Sequence, residues 1–262
     1  MTSKTEPRLL CYDLGEGVTA FSTTRHGGVS EANYASFNIN PYCGDSADHV
    51  ARNRQLLADR LGLPASHIVL PHQVHGIEHR AVAPELLDMS DVVRDKILDG
   101  VDMVTTSMTG VCIGVSTADC IPVLLYDPVA RATAAIHAGW RGTLQRICQR
   151  AVMAMQLHYG TTPDRLRAVV GPGISLANFE VGQEVYDQFV QAGFDLTETA
   201  EWHTKWHLDL PGINIQELIG CGVAPEHIHH AGICTFDHAD DYFSARRLGI
   251  DSGRIYTGIL MR

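Results

Sequence analysis

Three apolar segments that each run into a polar tip constrain the fold of this chain more than any other feature of its sequence. They are VLPHQVHG (69–76), VSTADC (115–120) and AAIHAGWRG (134–142). Their apolar parts are rich in small and β-branched residues, which is typical of strands buried on both faces. The ends of buried strands are where a rigid scaffold presents side chains to a common pocket. We therefore expect the three tips to lie together.

Further periodic segments surround these strands. Apolar residues recur at helical spacing in 48–63 and again in 143–159. Gly62 ends the first of these segments and Gly160 ends the second. Additional strands are predicted at 17–24, 68–70, 111–116, 122–126, 132–137, 166–170 and 228–233, and additional helices at 181–192 and 213–220. No internal repeat or low-complexity linker interrupts the chain. We predict a single α+β (mixed α/β) domain over 1–262, with a mixed β-sheet core flanked by helices.

Composition and charge exclude several classes of protein. The net charge of −10 argues against broad contact with nucleic acid, which needs a basic face. No apolar run approaches the roughly 18 residues that span a bilayer, and the first residues lack a secretory pattern. The seven cysteines lack paired short spacings, so we interpret them as reduced thiols. We expect a cytoplasmic protein that binds neither nucleic acid nor membrane and takes a small-molecule substrate.

The three tips contain a set of side chains suited to a metal. His75, Cys120 and His137 would supply two imidazoles and one thiolate, a set that suits zinc and leaves a fourth position open. A structural zinc site usually has four ligands with short paired spacings, so the distribution favours a catalytic ion. The ordinary alternative is that the cysteine packs in the core and the histidines bond to neighbouring groups. His72 competes with His75, and the local pattern does not choose between them.

Arginines and glycine-rich turns supply candidates for binding an anion. Arg25 lies in the turn TRHGGVS, Arg141 follows the third tip, and Arg246 and Arg247 lie near the C-terminus. Each of these is also an ordinary surface charge in the simplest interpretation. The chain has no G-x-x-x-x-G-K-[ST] or G-x-G-x-x-G motif and no G-x-S-x-G elbow. Nucleotide-fold and serine-hydrolase interpretations are therefore rejected.

A series of motifs in a fixed order identifies a family resemblance. The motifs are FSTTRHGGVS (21–30), QVHG (73–76), STADCIPVLLYD (116–127), AAIHAGWRGT (134–143), GPGI (171–174), FEVG (179–182) and FSARR (243–247). Together they resemble the YfiH family, catalogued both as a multicopper polyphenol oxidase (laccase) domain and as purine nucleoside phosphorylases. The resemblance extends over about 19–247 of the chain. It implies a fold similar to the catalytic domain of the deamidating cytotoxic necrotizing toxins.

The resemblance implies the metal ligands and the residues around them. The family's zinc ligands correspond to His75, Cys120 and His137, which decides against His72 as a ligand and makes these three the expected catalytic residues. The residues that the family places at its anion or substrate pocket correspond to Arg25 and Asn38, and Arg54 and Arg141 are further candidates there. Arg25 is also an expected catalytic residue. The turn at 40–43 departs from the glycine-containing turn typical of the family.

The family implies activity on purine nucleosides. It implies phosphorolysis of adenosine, inosine, guanosine and methylthioadenosine, together with deamination of adenosine. A zinc ion with Arg25 would orient phosphate against the ribose, and the ion would also activate a water for deamination. His72 and Asp119 are candidates for the general acid that the leaving base needs, because both lie close to the ligands in sequence. We expect a monomer whose partners are the nucleoside and phosphate.

Other functions remain open at this level. A copper-dependent polyphenol oxidase needs several metals, and His227-Ile228-His229 is the one H-x-H pair in the chain, although two histidines and a cysteine can take copper in vitro. A metal-free amide hydrolase acting on peptidoglycan precursors would use Cys120 as nucleophile and His137 as base. A non-enzymatic binding protein with a structural zinc is disfavoured by three ligands instead of four.

Overall fold

The computed structural model describes residues 5–262 as strands and helices in alternation. The strands are Leu9–Tyr12 (β1), Val18–Thr23 (β2), Ile68–Val69 (β3), Glu78–Ala81 (β4), Val101–Thr106 (β5), Cys112–Thr117 (β6), Ile121–Asp127 (β7), Ala132–Ala138 (β8), Arg167–Val170 (β9), Glu180–Val181 (β10), Ala200–Trp202 (β11), Trp206–Leu208 (β12), Ile228–His230 (β13) and Ile255–Met261 (β14). The helices are Ala47–Leu61 (α1), Pro84–Asp88 (α2), Asp91–Ile97 (α3), Trp140–Leu144 (α4), Ile147–Tyr159 (α5), Gln183–Gln191 (α6), Leu210–Gly220 (α7) and Ala245–Leu248 (α8).

Two large mixed sheets form the centre of the fold. The five-stranded sheet has the order β1-β2-β14-β6-β3, and β3 is the strand that runs parallel to its neighbour. The six-stranded sheet has the order β13-β9-β7-β8-β5-β4, with parallel pairs at both edges and antiparallel pairs in the middle. β10, β12 and β11 form a separate small antiparallel sheet, whose Val181 and Leu208 join the same core as Val123 and Leu125 of the six-stranded sheet.

The alternation of side chains along β7 explains how the layers pack. Leu124 points into a core that also contains Ile113 and Ile259 of the five-stranded sheet, so the two large sheets face each other. Its neighbours Val123 and Leu125 point into the opposite core, which α5 and α7 cover. The outer face of the five-stranded sheet packs on α1. Both faces of β7 are therefore buried, which accounts for its continuous apolar sequence.

The architecture confirms the predicted α+β (mixed α/β) class with mixed sheets flanked by helices, while the single-domain boundary 1–262 stays a prediction. The predicted helix 48–63 corresponds to α1, but the predicted helix 143–159 is wrong as one element. It breaks between Leu144 and Ile147, because Arg146 has a left-handed backbone conformation with φ 60°, which cannot continue a right-handed helix. Within 5–262, no helix combines the length and the apolar character that crossing a bilayer requires.

Candidate active site

Two connections between the large sheets bring the predicted metal ligands together. His75 lies where the chain leaves β3 for β4, and Cys120 lies where it leaves β6 for β7, so both residues are on segments that pass from one sheet to the other. His137 is the penultimate residue of β8, which pairs with β7 beside these crossings. The ligand atoms of the three side chains lie within 4.8 Å of one another. The three polar tips therefore meet at one place, as their sequences predict.

A buried carboxylate organises two of the three ligands. Asp102, on β5, is fully buried and accepts a 2.6 Å hydrogen bond from Nδ1 of His137. The same carboxylate accepts from the backbone amides of Val74, His75 and Gly76 at 3.2, 3.0 and 2.7 Å. His75 has a positive φ of 63°, and these three bonds stabilise its turn. One carboxylate thus orients the ring of one ligand and the backbone of another.

Asp102 is not among the site residues predicted from the sequence. Its one local indication is a lone carboxylate inside the otherwise buried strand VDMVTT, because an ionised side chain in such a strand needs partners. Those partners lie 26 to 35 residues away in the chain, so no short motif contains them.

The electrostatics of the group favour a thiolate. Burial alone would raise the pKa of Cys120, but His137 and His75 outweigh burial and lower this pKa to about 6. Burial would lower the pKa of His137, but Cys120 and Asp102 raise it to about 9. Burial likewise opposes ionisation of Asp102. The hydrogen bonds from His137 and from the amides of Gly76 and Val74 nevertheless hold the pKa of Asp102 below its usual value. A metal binds cysteine as the thiolate, so this environment prepares Cys120 as a ligand.

The geometry of the group fits a transition metal. Because Nδ1 of His137 donates to Asp102, Nε2 is the nitrogen left to bind a metal. Tetrahedral zinc places neighbouring ligand atoms about 3.3–3.7 Å apart. The three ligand atoms lie within 4.8 Å of one another, so small movements of the side chains bring them to those distances. Gly139 completes the wall, since a Cβ there would lie 2.9 Å from Cδ2 of His75 and 3.2 Å from Sγ of Cys120. The donor set suits zinc and also copper.

The three ligands open onto a cavity of about 220 Å³. Its lining combines polar, aromatic and aliphatic side chains from several loops: Asn40, Tyr42, Cys43, His72, Gln73, His75, Ser116, Thr117, Ala118, Cys120, His137, Ala245, Ile250 and Arg254. The arginine in this lining is Arg254, which sequence analysis did not single out. Its guanidinium donates to the carbonyl oxygens of Ile250 and Gly253, so its charge is held in place at the cavity.

Two residues predicted at the substrate pocket form hydrogen bonds with the surrounding loops instead. The guanidinium of Arg25 donates to Ala35 O at 2.9 Å and to Ala239 O at 2.6 Å, and Arg25 does not line the cavity. Asn38 is fully buried and donates to Asp45 at 2.9 Å. These contacts join separate loops, so the structural role of both residues lies in building the walls behind the cavity.

The other two predicted arginines also lie outside the main cavity. Arg54 donates to Ile68 O at 2.8 Å and lines a second cavity of about 140 Å³, which shares Tyr42 with the first. Arg141 is the second residue of α4, within the third tip, and its guanidinium lies 4.3 Å from the ring centre of Trp140. Neither guanidinium reaches the lining of the metal-ligand cavity.

The two candidates for the general acid occupy different positions. His72 lines the cavity, and its Nδ1 lies 2.6 Å from Oδ1 of Asp99. The carboxylate of Asp119 instead accepts from Oγ1 of Thr235 at 2.8 Å and from the amide of Arg246 at 2.7 Å. Asp119 is thus engaged in holding the turn before Cys120, and of the two candidates His72 is the one on the cavity.

Two named proteins are similar to this chain over most of its length. A protein from Bacteroides thetaiotaomicron named purine nucleoside phosphorylase is 44% identical over 247 residues, which cover 93% of this chain and 92% of that protein. A protein named adenosine deaminase RL5, from an unknown prokaryotic organism, is 40% identical over 248 residues, covering 93% of this chain and 94% of that protein.

Solved structures show the same fold. The hypothetical protein YfiH of Bacillus licheniformis superposes with a TM-score of 0.91 at 29% identity, covering 98% of this chain and 97% of that one. YlmD from Geobacillus stearothermophilus superposes with a TM-score of 0.87 at 30% identity, covering 96% and 94%. The family model described as multi-copper polyphenol oxidoreductase laccase matches residues 19–262. The chain therefore belongs to this laccase-like family, whose members here include proteins named YfiH, YlmD and purine nucleoside phosphorylase.

Proposed function

We propose that this chain is a zinc-dependent purine nucleoside phosphorylase that acts on adenosine, inosine, guanosine and methylthioadenosine and also deaminates adenosine. The observation that carries the proposal is the convergence of His75, Cys120 and His137, with ligand atoms within 4.8 Å, on a cavity large enough for a small substrate. The names of the relatives at 44% and 40% identity support the choice of purine nucleosides and of both reactions.

His75, Cys120 and His137 would hold the ion in this proposal. When bound, zinc supplies a Lewis acid for a phosphate oxygen or a water of lowered pKa. Asp102 keeps the proton of His137 on Nδ1, which leaves Nε2 as a ligand and holds the ring in one orientation. The carboxylate of Asp102 adds a second negative charge to that of the Cys120 thiolate, and the two together would balance the two positive charges of a zinc ion.

Phosphorolysis also brings in an anion and adds one proton to the leaving base. In phosphorolysis a phosphate oxygen forms a bond to C1′ of the ribose while the bond from C1′ to the purine nitrogen breaks. The base takes up one proton as it leaves as a neutral purine. Arg254 supplies positive potential for the incoming phosphate.

The proposal is tested by product analysis on metal-quantified protein. Wild type, Cys120→Ala and Cys221→Ala are incubated with inosine and adenosine, with and without phosphate, and free base and ribose 1-phosphate are separated by chromatography. Cys221 is a matched control because it is also half-buried and lines a different cavity. We expect phosphate-dependent release of base by wild type and Cys221→Ala and its loss in Cys120→Ala. Zinc-loaded wild type that leaves every nucleoside intact would contradict the proposal.

A second candidate function is amide hydrolysis, and one observation favours it. Cys120, His137 and Asp102 form a line of nucleophile, base and orienting carboxylate, the arrangement of cysteine hydrolases. The thiolate would add to an amide carbonyl, the amine would leave with a proton from His137, and water would cleave the thioester. Metal-stripped protein that hydrolyses amide-containing peptidoglycan precursors and is blocked by iodoacetamide supports this candidate. Inactivity of that protein, beside active zinc-loaded protein on nucleosides, excludes it.

The copper-dependent oxidase is not proposed, although it fits the description of the family. Among residues 5–262 one group of three possible ligands is found, and a multicopper enzyme requires several copper positions. His227 and His229 line a separate cavity with Glu226, away from this group.

A further inference from the structure

A stacked aromatic pair forms part of the cavity wall. The rings of Tyr42 and His72 have centroids 4.2 Å apart and planes inclined by 29°. Both residues line the same cavity as the metal ligands. Tyr42 is 40% exposed, so the pair is open to a ligand. An aromatic ring with a second ring packed behind it therefore lies at the cavity, and the metal site does not use the tyrosine.

The histidine of this pair is fixed from several sides. Its Nδ1 lies 2.6 Å from Oδ1 of Asp99. Its backbone amide donates to Leu98 O at 3.0 Å, and its carbonyl accepts from the amide of Gly100 at 2.9 Å. Hydrogen bonds therefore fix both the ring and the backbone of His72. Little side-chain entropy is lost when a ligand contacts the aromatic pair.

The tyrosine is fixed through the turn that precedes it. The amide of Tyr42 donates to Oδ1 of Asn40 at 2.6 Å, and Nδ2 of Asn40 donates to Oγ of Ser116 at 2.5 Å. Ser116 belongs to β6, the strand that leads to Cys120. Asn38 strengthens the same turn, because its Oδ1 accepts from the amide of Asn40 at 3.2 Å. The turn thus anchors Tyr42 to the strand that carries a metal ligand.

We propose that the ring of Tyr42, backed by the ring of His72, is a stacking platform that binds the purine base of the substrate. The inference rests on the proposed function and adds to it the residues that hold the base. Every purine presents a flat π-surface, so stacking accepts adenine, hypoxanthine and guanine alike and accounts for the broad set of nucleosides proposed. The exposed side chain of Ile250 extends the apolar edge of the same cavity.

Binding measurements on tyrosine variants test the platform. Inosine is titrated by calorimetry into zinc-loaded wild type, Tyr42→Leu and Tyr42→Phe in the absence of phosphate, so that no phosphorolysis occurs. We expect Tyr42→Leu to weaken inosine binding about tenfold or more, because stacking on one base is worth that much. Tyr42→Phe keeps the ring and is expected to bind within about twofold of wild type. Trp202→Leu is the matched control, since Trp202 is an exposed aromatic residue that does not line this cavity.

Ribose 1-phosphate provides the decisive comparison, because it has the sugar and phosphate but no base. The platform predicts that Tyr42→Leu binds ribose 1-phosphate as wild type does. Equal loss for inosine and ribose 1-phosphate, or loss for neither, overturns the platform. Failure of the proposed function is seen separately, as absence of phosphate-dependent turnover by wild type, while a base-dependent loss of binding in Tyr42→Leu still supports the platform. Wild type that does not bind inosine overturns both.

Discussion

The carboxylate of Asp102 joins two metal ligands, because it accepts from Nδ1 of His137 at 2.6 Å and from the amide of His75 at 3.0 Å. His137 lies on β8, and His75 lies between β3 and β4. Asp102 lies on β5, the strand next to β8 in the six-stranded sheet. The geometry of the site is therefore determined by the pairing of two strands, and the exposed ligand His75 depends on a buried carboxylate.

Replacing Asp102 with Asn tests this dependence. Asparagine keeps the volume but cannot accept from all of these donors, so the His137 ring and the His75 turn lose their common partner. We expect zinc affinity to fall about 10- to 100-fold, as is typical when a carboxylate partner of a ligating histidine is lost. The measurement is a competition titration with a chelator of known affinity.

Asp127→Asn is the matched control for that variant. Asp127 is also fully buried and accepts from the backbone amides of Val129 and Ala130, but it lies at the other end of β7 from Cys120, roughly 20 Å along the strand. We expect this variant to lose stability without a comparable loss of zinc affinity. Equal zinc affinity in Asp102→Asn and wild type would contradict the role assigned to Asp102.

Gly139→Ala tests how closely the site is packed. The added Cβ would lie 2.9 Å from Cδ2 of His75 and 3.2 Å from Sγ of Cys120, so at least one ligand must move. We expect about a tenfold or greater loss of zinc affinity. Gly220→Ala is the control, because its Cβ would have no neighbour within 4 Å. Unchanged zinc affinity in Gly139→Ala would show that the ligands tolerate displacement.

The ligand tips were predictable because each lies at the end of a strongly apolar strand. Cys120 and His137 were candidate ligands by their position at the ends of such runs, the family resemblance selected them, and the structure brings them together with His75. The choice between His72 and His75 was not predictable from local pattern, since both follow β3 within the same loop. It depends on which histidine Asp102 can hold by its backbone, and Asp102 is distant in sequence.

Alkylation of metal-stripped protein tests the electrostatics of Cys120. The pKa of this thiol is lowered to about 6, so its thiolate fraction and its rate of reaction with iodoacetamide rise as pH increases through about 6 and level off above. Burial raises the pKa of Cys221, which provides an internal control that reacts at higher pH. The measurement is mass spectrometry of the two peptides as a function of pH.

His137→Ala supplies the control for that profile. Removing the imidazole leaves burial as the largest influence on the Cys120 thiol, so the midpoint of its alkylation profile should move upward by more than about one unit. A wild-type midpoint near the usual value for a thiol, or a midpoint that does not respond to His137→Ala, would contradict the assigned interaction.

A buried carboxylate outside the site predicts a pH dependence of stability. Burial raises the pKa of Glu217 to about 7, and Arg146 at 3.3 Å offsets this only in part. A carboxylate whose pKa is raised on folding stabilises the fold below its unfolded pKa, and this contribution is lost as pH rises through about 7. The free energy of unfolding of Glu217→Gln relative to that of wild type should therefore be higher at pH 8 than at pH 5, by about 1–3 kcal/mol.

The measurement for Glu217 is urea unfolding at both pH values. Glu184→Gln is the control, because Glu184 is an exposed residue of α6. Its stability relative to wild type should be the same at both pH values. A Glu217→Gln variant whose stability relative to wild type is the same at pH 5 and pH 8 would contradict the raised pKa.

The arginines show where sequence reasoning reached its limit. Arg25 and Arg54 were expected beside an anion, but their guanidinium groups donate to the carbonyl oxygens of Ala35 and Ile68, 10 and 14 residues further along the chain. A guanidinium is equally suited to an anion and to a carbonyl, so residue type does not separate the two roles. Arg254 could not be identified because no motif surrounds it. Its place at the cavity depends on β14, which joins the middle of the five-stranded sheet.

Zinc content and phosphate-dependent cleavage of inosine, measured on the same protein samples, test the central claim most directly. The samples are wild type, His75→Ala, Cys120→Ala, His137→Ala and the control Cys221→Ala. We expect about one zinc per chain in wild type and in the control, as for a three-ligand site. Zinc and cleavage should be lost together in each of the three ligand variants. Wild type without zinc, or ligand variants that still cleave inosine at the wild-type rate, would contradict the claim that this group holds the metal and carries the reaction.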